Sequence, residues 1–69
     1  MDIRAIMPGK IISINAEVGD AVKTNDVLGF MEAMKMELPI SCPGDGTVRD
    51  INVAVGDVVT SEQILFSVE

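Results

Sequence analysis

The sequence contains no histidine, tryptophan or tyrosine, and it has a single cysteine, Cys42. A lone cysteine excludes an intramolecular disulfide. Histidine is the commonest metal ligand and the side chain best suited to acid–base catalysis near neutral pH, so its absence removes the usual material for both. We therefore expect neither catalytic nor metal-ligating residues, and a chain that is not an enzyme by itself.

The sequence also lacks a basic patch and a long apolar run. Its formal net charge is −6, which argues against a nucleic-acid partner because no cluster of lysine and arginine is available to neutralise phosphates. No apolar segment approaches the roughly 20 residues of a membrane span. The start, MDIRAIMPGK, has no apolar core of a signal peptide. We expect a soluble monomer of the cytoplasm or of an organellar matrix, with no insertion into a membrane.

The sequence does contain a repeat within its 69 residues. When the chain is shifted by 37 positions against itself, nine of the 24 aligned pairs from residue 9 to residue 32 are identical. The first members of these pairs are Gly9, Ile14, Asn15, Val18, Gly19, Asp20, Val22, Leu28 and Glu32. The pattern predicts one domain, 1–69, made of two copies at about 2–32 and 39–69 that are joined by a hairpin at Lys35.

Each copy has the pattern of short strands separated by turns. Isoleucine and valine dominate the candidate strands, and turn-forming residues lie between them. The predicted strands are residues 10–14, 21–22, 27–33, 36–40, 47–53, 58–59 and 64–68. We expect four glycines, at positions 9, 19, 46 and 56, to form turns. Evenly spaced short strands predict an all-β sandwich or barrel.

The segment from residue 31 to 38 carries conflicting signals. Its residues favour a helix, but the segment is too short to be helical without tertiary support. Residues 27–31, which lead into it, have their repeat equivalent at 64–68, and that segment has the pattern of a strand. Two strands then meet at Met34 and Lys35 and leave a two-residue hairpin. Such hairpins favour Asn-Gly, because both central residues often need a positive φ. Met-Lys therefore indicates either a functional site held under strain or a longer, relaxed loop around a solvated lysine.

The motif EAMKME at residues 32–37 resembles the biotinyl attachment motif of biotin carboxyl carrier domains, which belong to biotin-dependent carboxylases and decarboxylases. The resemblance covers nearly the whole chain, since MPG at 7–9, VGD at 18–20 and GTV at 46–48 also resemble segments of that family. It implies the fold shared by biotinyl and lipoyl domains. That fold is a flattened barrel or sandwich of two four-stranded antiparallel sheets with an internal pseudo-two-fold repeat.

The resemblance also implies a carrier function for an exposed Lys35. A biotin protein ligase would attach biotin covalently to the Lys35 amine, with Glu32, Ala33, Met34 and Met36 as the recognition motif. The biotin would carry a carboxyl group between the active sites of a biotin carboxylase and of a carboxyltransferase or decarboxylase. The chain would then be a non-catalytic domain or subunit of such a complex.

Two alternatives remain open. A lipoyl carrier shares the fold and the hairpin lysine, although lipoyl domains usually have Asp-Lys-Ala where this chain has Met-Lys-Met. An interaction domain with an unmodified Lys35 is the other. Glu32 aligns with Glu69 in the repeat, so Glu32 suits a structural role as well as recognition. No insertion separates residues 20 and 27, unlike many biotinyl domains of bacterial multi-subunit acetyl-CoA carboxylases. This favours a carrier of the acyl-CoA carboxylase, pyruvate carboxylase or decarboxylase type.

Overall fold

The computed structural model describes all residues from 1 to 69. Its regular elements are eight strands, and it contains no helix that is long and apolar enough to cross a lipid bilayer. The strands are β1 (Asp2–Arg4), β2 (Gly9–Ile14), β3 (Ala21–Val22), β4 (Val27–Ala33), β5 (Met36–Ser41), β6 (Gly46–Ile51), β7 (Val58–Val59) and β8 (Ile64–Val68).

The strands form two four-stranded antiparallel sheets. One sheet has the order β1-β8-β6-β3, and the other has the order β5-β4-β2-β7. Each sheet takes strands from both halves of the sequence, so the two copies interlock instead of folding as separate lobes. This architecture confirms the predicted all-β sandwich of two four-stranded sheets.

The pseudo-two-fold repeat extends to the pairing of individual residues. Adding 37 to the bounds of β2 and β3 gives the bounds of β6 and β7. The pair Ile11 and Met31, between β2 and β4, has its equivalent in Val48 and Val68, between β6 and β8. Even the register shift that follows this pair recurs in both sheets. The repeat found in the sequence is therefore a repeat of hydrogen-bonded backbone.

One apolar core of 15 buried residues lies between the sheets. Ile11 and Leu28 from the first copy, and Leu65 and Phe66 from the second, are among its largest fully buried side chains. Each such side chain contributes about 1.5–3 kcal/mol by leaving water. Both copies are therefore needed to complete the core.

The side chains of the core do not follow the repeat everywhere. Phe66 is fully buried, whereas its equivalent in the first copy is Gly29. A Cβ added at Gly29 would lie 2.5 Å from the carbonyl oxygen of Ser13, so no larger residue fits there. The symmetry is thus a property of the backbone, and packing departs from it.

Two glycine turns confirm one part of the sequence analysis. Gly19 and Gly56 both have a φ of 97°, which side-chain-bearing residues rarely adopt. Asp20 and Asp57, next in sequence, close these turns. In each case a carboxylate oxygen accepts a hydrogen bond of 2.9 Å from the backbone N–H three residues earlier. The two aspartates are therefore turn residues.

The prediction that Gly9 and Gly46 form turns is wrong. They begin β2 and β6, and neither has a positive φ. A Cβ added at Gly9 would lie 2.5 Å from the Glu32 carbonyl oxygen and 2.7 Å from Met31 Cε. Gly9 is required because β4 passes close to its backbone, and Gly46 meets Glu69 in the same way.

The predicted strand bounds hold for β3, β4, β7 and β8, and β2 and β5 are each one residue longer than predicted. The larger differences are at β6 and β1. β6 ends at Ile51, two residues earlier than predicted, after a register shift between Val48 and Asp50 that disturbs the ladder. β1 was not predicted from its residues. It pairs only with β8, at the other end of the chain, so its three residues carry no local signal.

The hairpin between β4 and β5 and the chain termini occupy equivalent places in the two copies. The Met1 amine donates to the Val68 carbonyl oxygen at 2.7 Å, and the Val68 N–H donates to the Met1 carbonyl oxygen at 2.8 Å. The repeat equivalent of this pair is Leu38 and Met31, which lie in the arms of the hairpin. The pseudo-two-fold therefore puts the hairpin at one end of the domain and the termini at the other.

β5 lies at the edge of its sheet and contains Pro39. The pair that flanks a two-residue hairpin is hydrogen-bonded, and bonded positions alternate along the strand. The backbone N–H and C=O groups of Leu38 and Ile40 therefore point toward β4. The backbone nitrogen and carbonyl group of Pro39 point toward the free edge. Proline is tolerated there because no ladder hydrogen bond needs its missing N–H.

The glycine turns yield a stability prediction. Gly56→Val is expected to lower the free energy of unfolding by about 1–3 kcal/mol, because valine is strained at a φ of 97°. Its control is Val55→Ala in the same turn, where the side chain is 62% exposed and the change should stay within about 0.5 kcal/mol. Urea denaturation measures both. Equal midpoints for Gly56→Val and the unaltered protein would refute the argument from backbone strain.

Candidate functional site

The connection between β4 and β5 is a two-residue hairpin with Met34 and Lys35 at its tip. Met34 has a φ of 52° and Lys35 a φ of 64°, and Ala33 is paired with Met36 across the turn. Positive φ at both central residues is the signature of a type I′ turn. Of the two conformations that the sequence left open, the structure has the tight hairpin.

This turn holds two unsuitable residues in a left-handed conformation. Asn-Gly adopts a type I′ turn easily, whereas a residue with a long side chain is strained there. Strain of this kind costs about 1–3 kcal/mol per residue and persists only where the surrounding structure imposes it. Here β4 is paired with β5 on one side and with β2 on the other.

The side chains around the tip alternate sharply between buried and exposed. Met31 and Ala33 are buried, with 2% and 4% of their surface exposed. Met34 is 84% exposed and Met36 62% exposed, and Lys35 between them is also exposed. Methionine is a flexible, apolar side chain that adapts its shape to a contacting surface. Two exposed methionines beside an exposed lysine form an exposed apolar surface at the tip.

The charges near the tip are arranged in a row across three strands. Glu32 on β4 lies directly opposite Glu37 on β5, and on its other side it lies opposite Lys10 on β2. Like charges directly opposite each other are destabilising. The three ion pairs of the structure all involve Arg4 or Arg49. The Lys35 ammonium group is therefore not held by a carboxylate.

The structure brings the five predicted site residues together on one hairpin. Lys35 is at the tip, Met34 and Met36 flank it, and Ala33 and Glu32 occupy the end of β4. Glu32 is exposed and Ala33 is buried, so Glu32 presents its side chain at the surface and Ala33 does not. No group of three or more His, Cys, Asp and Glu side chains is placed to hold a metal ion.

Two residues that lie next to the hairpin were not identified from the sequence. Gly9 allows β2 to lie close to Glu32, and Lys10 lies opposite Glu32 in the sheet. Their importance depends on the register between β2 and β4, which no local pattern reveals. The repeat did offer one signal, since the glycine at position 9 recurs at position 46.

The site fits a small group joined through an amide. The lysine amine stands at the end of a flexible four-carbon stem, in an exposed turn with no ion pair to break. Biotin and lipoic acid each have a carboxylic acid that can form this amide. The geometry of the lysine alone accommodates both, and the residues beside it must distinguish them.

Comparison with known proteins identifies the family. Residues 1–68 match the sequence profile of the biotin/lipoyl family described as "Biotin-requiring enzyme". A pyruvate carboxylase of Staphylococcus aureus is 39% identical over 67 residues, which cover 97% of this chain and 6% of the carboxylase. The chain thus spans a small part of such relatives. A "Biotinylated protein TB7.3 homolog" of Mycobacterium leprae is 33% identical over 64 residues, which cover 93% of this chain and 90% of that protein.

Solved structures agree with this assignment. The urea carboxylase of Kluyveromyces lactis contains a matching region with a TM-score of 0.94 and 26% identity, covering the whole of this chain and 6% of the carboxylase. The lipoyl domain of the 2-oxoglutarate dehydrogenase complex of Azotobacter vinelandii matches with a TM-score of 0.83 and 25% identity, and 95% of that domain is covered. The chain belongs to the family of biotin carboxyl carrier domains found in biotin-dependent carboxylases and decarboxylases.

Proposed function

We propose that Lys35 is the residue that is biotinylated, and that the domain carries a carboxyl group on this biotin between two active sites. The observation that carries the proposal is the tip itself. It holds one exposed lysine, strained into a type I′ turn and flanked by two exposed methionines. A strained, solvent-exposed turn contributes nothing to the core, so its composition points to recognition from outside.

Biotin, when bound, supplies the ring nitrogen that accepts and releases the carboxyl group, and the protein supplies presentation. Lys35 provides the amine and a flexible stem. The rigid ladder between β4 and β5 fixes the base of that stem at the tip of the hairpin. Tethering raises the effective concentration of the group at each partner site to the order of millimolar.

The proposed partners follow from this role. A biotin protein ligase would modify Lys35, and a biotin carboxylase together with a carboxyltransferase or decarboxylase would use the product. We propose that residues 1–69 act as one carrier unit, with copies at about 2–32 and 39–69 joined by the Lys35 hairpin. In this role the unit is a monomer that moves between active sites of a cytoplasmic or organellar complex.

The flanking residues have separate proposed roles. Met34 and Met36 offer the apolar contacts that a ligase would bury. Ala33 is buried beneath the tip, where a small side chain lets the two arms of the hairpin close. Glu32 lies in a row with Lys10 and Glu37 across three strands. The charges of this row would help to exclude the wrong modifying enzyme.

Lipoylation of Lys35 is the second candidate, because the fold matches a solved lipoyl domain with a TM-score of 0.83. The fold does not discriminate between the two groups. The flanking residues do, since lipoyl domains usually have Asp and Ala in the positions of Met34 and Met36. Biotin is therefore the proposed group.

The proposal is tested by intact mass after incubation with biotin, ATP and a biotin protein ligase. The unaltered chain is expected to gain one biotinyl group, and Lys35→Arg is expected to gain none. Because residue 35 is exposed, Lys35→Arg should melt at the same temperature as the unaltered chain.

A folded chain that gains no biotinyl group would overturn the proposal. The same experiment with lipoic acid and a lipoate ligase then decides whether the second candidate is correct. A chain that accepts neither group would leave an interaction domain with an unmodified lysine.

The flanking methionines yield a kinetic prediction. Met34→Ala and Met36→Ala should each lower kcat/KM for biotinylation about tenfold, since burial of a methionine side chain in a contact contributes roughly 1.5–3 kcal/mol. Thermal stability should not change, because both side chains are mostly exposed. Val18→Ala is the control, as Val18 is 63% exposed in a turn of the first copy. If all three variants had the same kcat/KM for biotinylation, the ligase would not recognise the methionines.

The strain at the tip yields a stability prediction with an unusual sign. Lys35→Gly is expected to raise the free energy of unfolding by about 0.5–1 kcal/mol, because glycine relieves the left-handed strain at a φ of 64°. The matched control is Lys23→Gly, at an exposed lysine without a positive φ, which should lower stability by about 0.5–1 kcal/mol. Chemical denaturation compares the two. A loss of stability in both would show that the tip is unstrained.

A further inference from the structure

A cleft of about 220 Å³ opens where the edge strands β1 and β5 of the two sheets approach each other. Met31, Ile40 and Leu65 line it with buried apolar surface. Ile6 also lines it and is 71% exposed, which is unusual for an isoleucine. Pockets for drug-sized molecules measure about 300–1,000 Å³, so this cleft suits a smaller apolar group.

Two polar side chains border the same cleft. Arg4 and Ser41, which are equivalent in the repeat, both line it. The Arg4 guanidinium group is fixed by a hydrogen bond of 2.9 Å from Nη1 to the Glu62 carbonyl oxygen, and it lies 4.0 Å from the Asp2 carboxylate. A guanidinium group has five N–H donors, so donors remain for another acceptor. The Ser41 hydroxyl can donate or accept.

The cleft lies within reach of a group carried on Lys35. Pro39, which lines the cleft, is four residues beyond Lys35 along β5. At the rise of a strand this separation is about 13 Å. A lysine stem extended by the side chain of biotin has a similar length, roughly 13 Å, from the usual bond dimensions. An arm that folds back along β5 therefore brings the start of its ring to Pro39, and the ring itself, roughly 5 Å long from the usual bond dimensions, extends from there toward Ser41.

We propose that this cleft is a docking site for the bicyclic ring of the biotin on Lys35. The proposal rests on the proposed function. The thioether ring would lie on the apolar lining beside Ile6 and Met31, and the ureido group would face the rim. There the Arg4 guanidinium donates to the ureido oxygen, and the Ser41 hydroxyl accepts from a ureido N–H.

Docking of this kind must be weak to be compatible with transfer. With an effective concentration on the order of millimolar for a short tether, an intrinsic Kd of about 1 mM leaves roughly half of the rings docked. A partner binds only the free form, so its apparent affinity falls by the free fraction, about twofold. The cleft thus shelters the ring between visits without trapping it.

The first test is a pair of ¹H–¹⁵N spectra of the unmodified and the biotinylated protein. Docking is expected to shift the backbone amides of Arg4, Ile6, Ile40 and Ser41 as well as those of the hairpin. Shifts confined to residues 33–37 would overturn the proposal, because they would mean that the ring does not return to the domain.

The second test measures how fast streptavidin captures the biotinylated protein in stopped flow. Ile6→Ser removes the apolar rim and should increase the capture rate about twofold, since more rings are free. Val18→Ser, at a side chain that is 63% exposed on a turn outside the cleft, should leave the rate unchanged. Equal rates in Ile6→Ser and the unaltered protein would contradict docking.

The two proposals fail in different ways. If Lys35 gains no biotinyl group, intact mass reports it before either test begins, and both proposals are wrong. If Lys35 is modified but the shifts stay in the hairpin, the carrier function stands and the docking site alone is wrong. The wild-type spectra need no substitution, so a variant that fails to fold cannot decide the outcome.

Discussion

The antiparallel pairing of β4 with β5 is the interaction on which the rest of the site depends. It extends from Val27 and Ser41 to Ala33 and Met36, and β2 supports β4 from the other side. Without this ladder the residues around Lys35 would favour a helix. With it, two residues that disfavour a left-handed backbone are kept in one. The free energy of sheet formation is thereby used to hold a single amine at a defined point.

Much of this arrangement could be predicted because the sequence carries the fold twice. The helical propensity around Lys35 was overruled because residues 27–31, just before it, have a strand-like repeat equivalent at 64–68. The hairpin then followed from two strands with nothing between them. What could not be predicted depends on contacts between distant residues. β1 forms only because β8 is beside it, and Gly9 is needed only because Glu32 passes close to it.

The duplication also explains why a symmetric backbone has a single candidate site. Both copies use the same turns, at Gly19 and Gly56, and the same register across their sheets. The chain is continuous at one end of the pseudo-two-fold and interrupted at the other, where Met1 is bonded to Val68. Only the continuous end can form a hairpin. The proposed attachment site thus lies at the join between the copies.

Pro39 has a consequence for the exposed edge of β5. A carrier that moves between partners brings its exposed strand edge close to many other polypeptides, and an unprotected edge can recruit a further strand and begin aggregation. Along the outer edge of β5, proline interrupts the row of N–H donors that such a strand would need. The hairpin can therefore be displayed at full length while the strand that supports it stays inert.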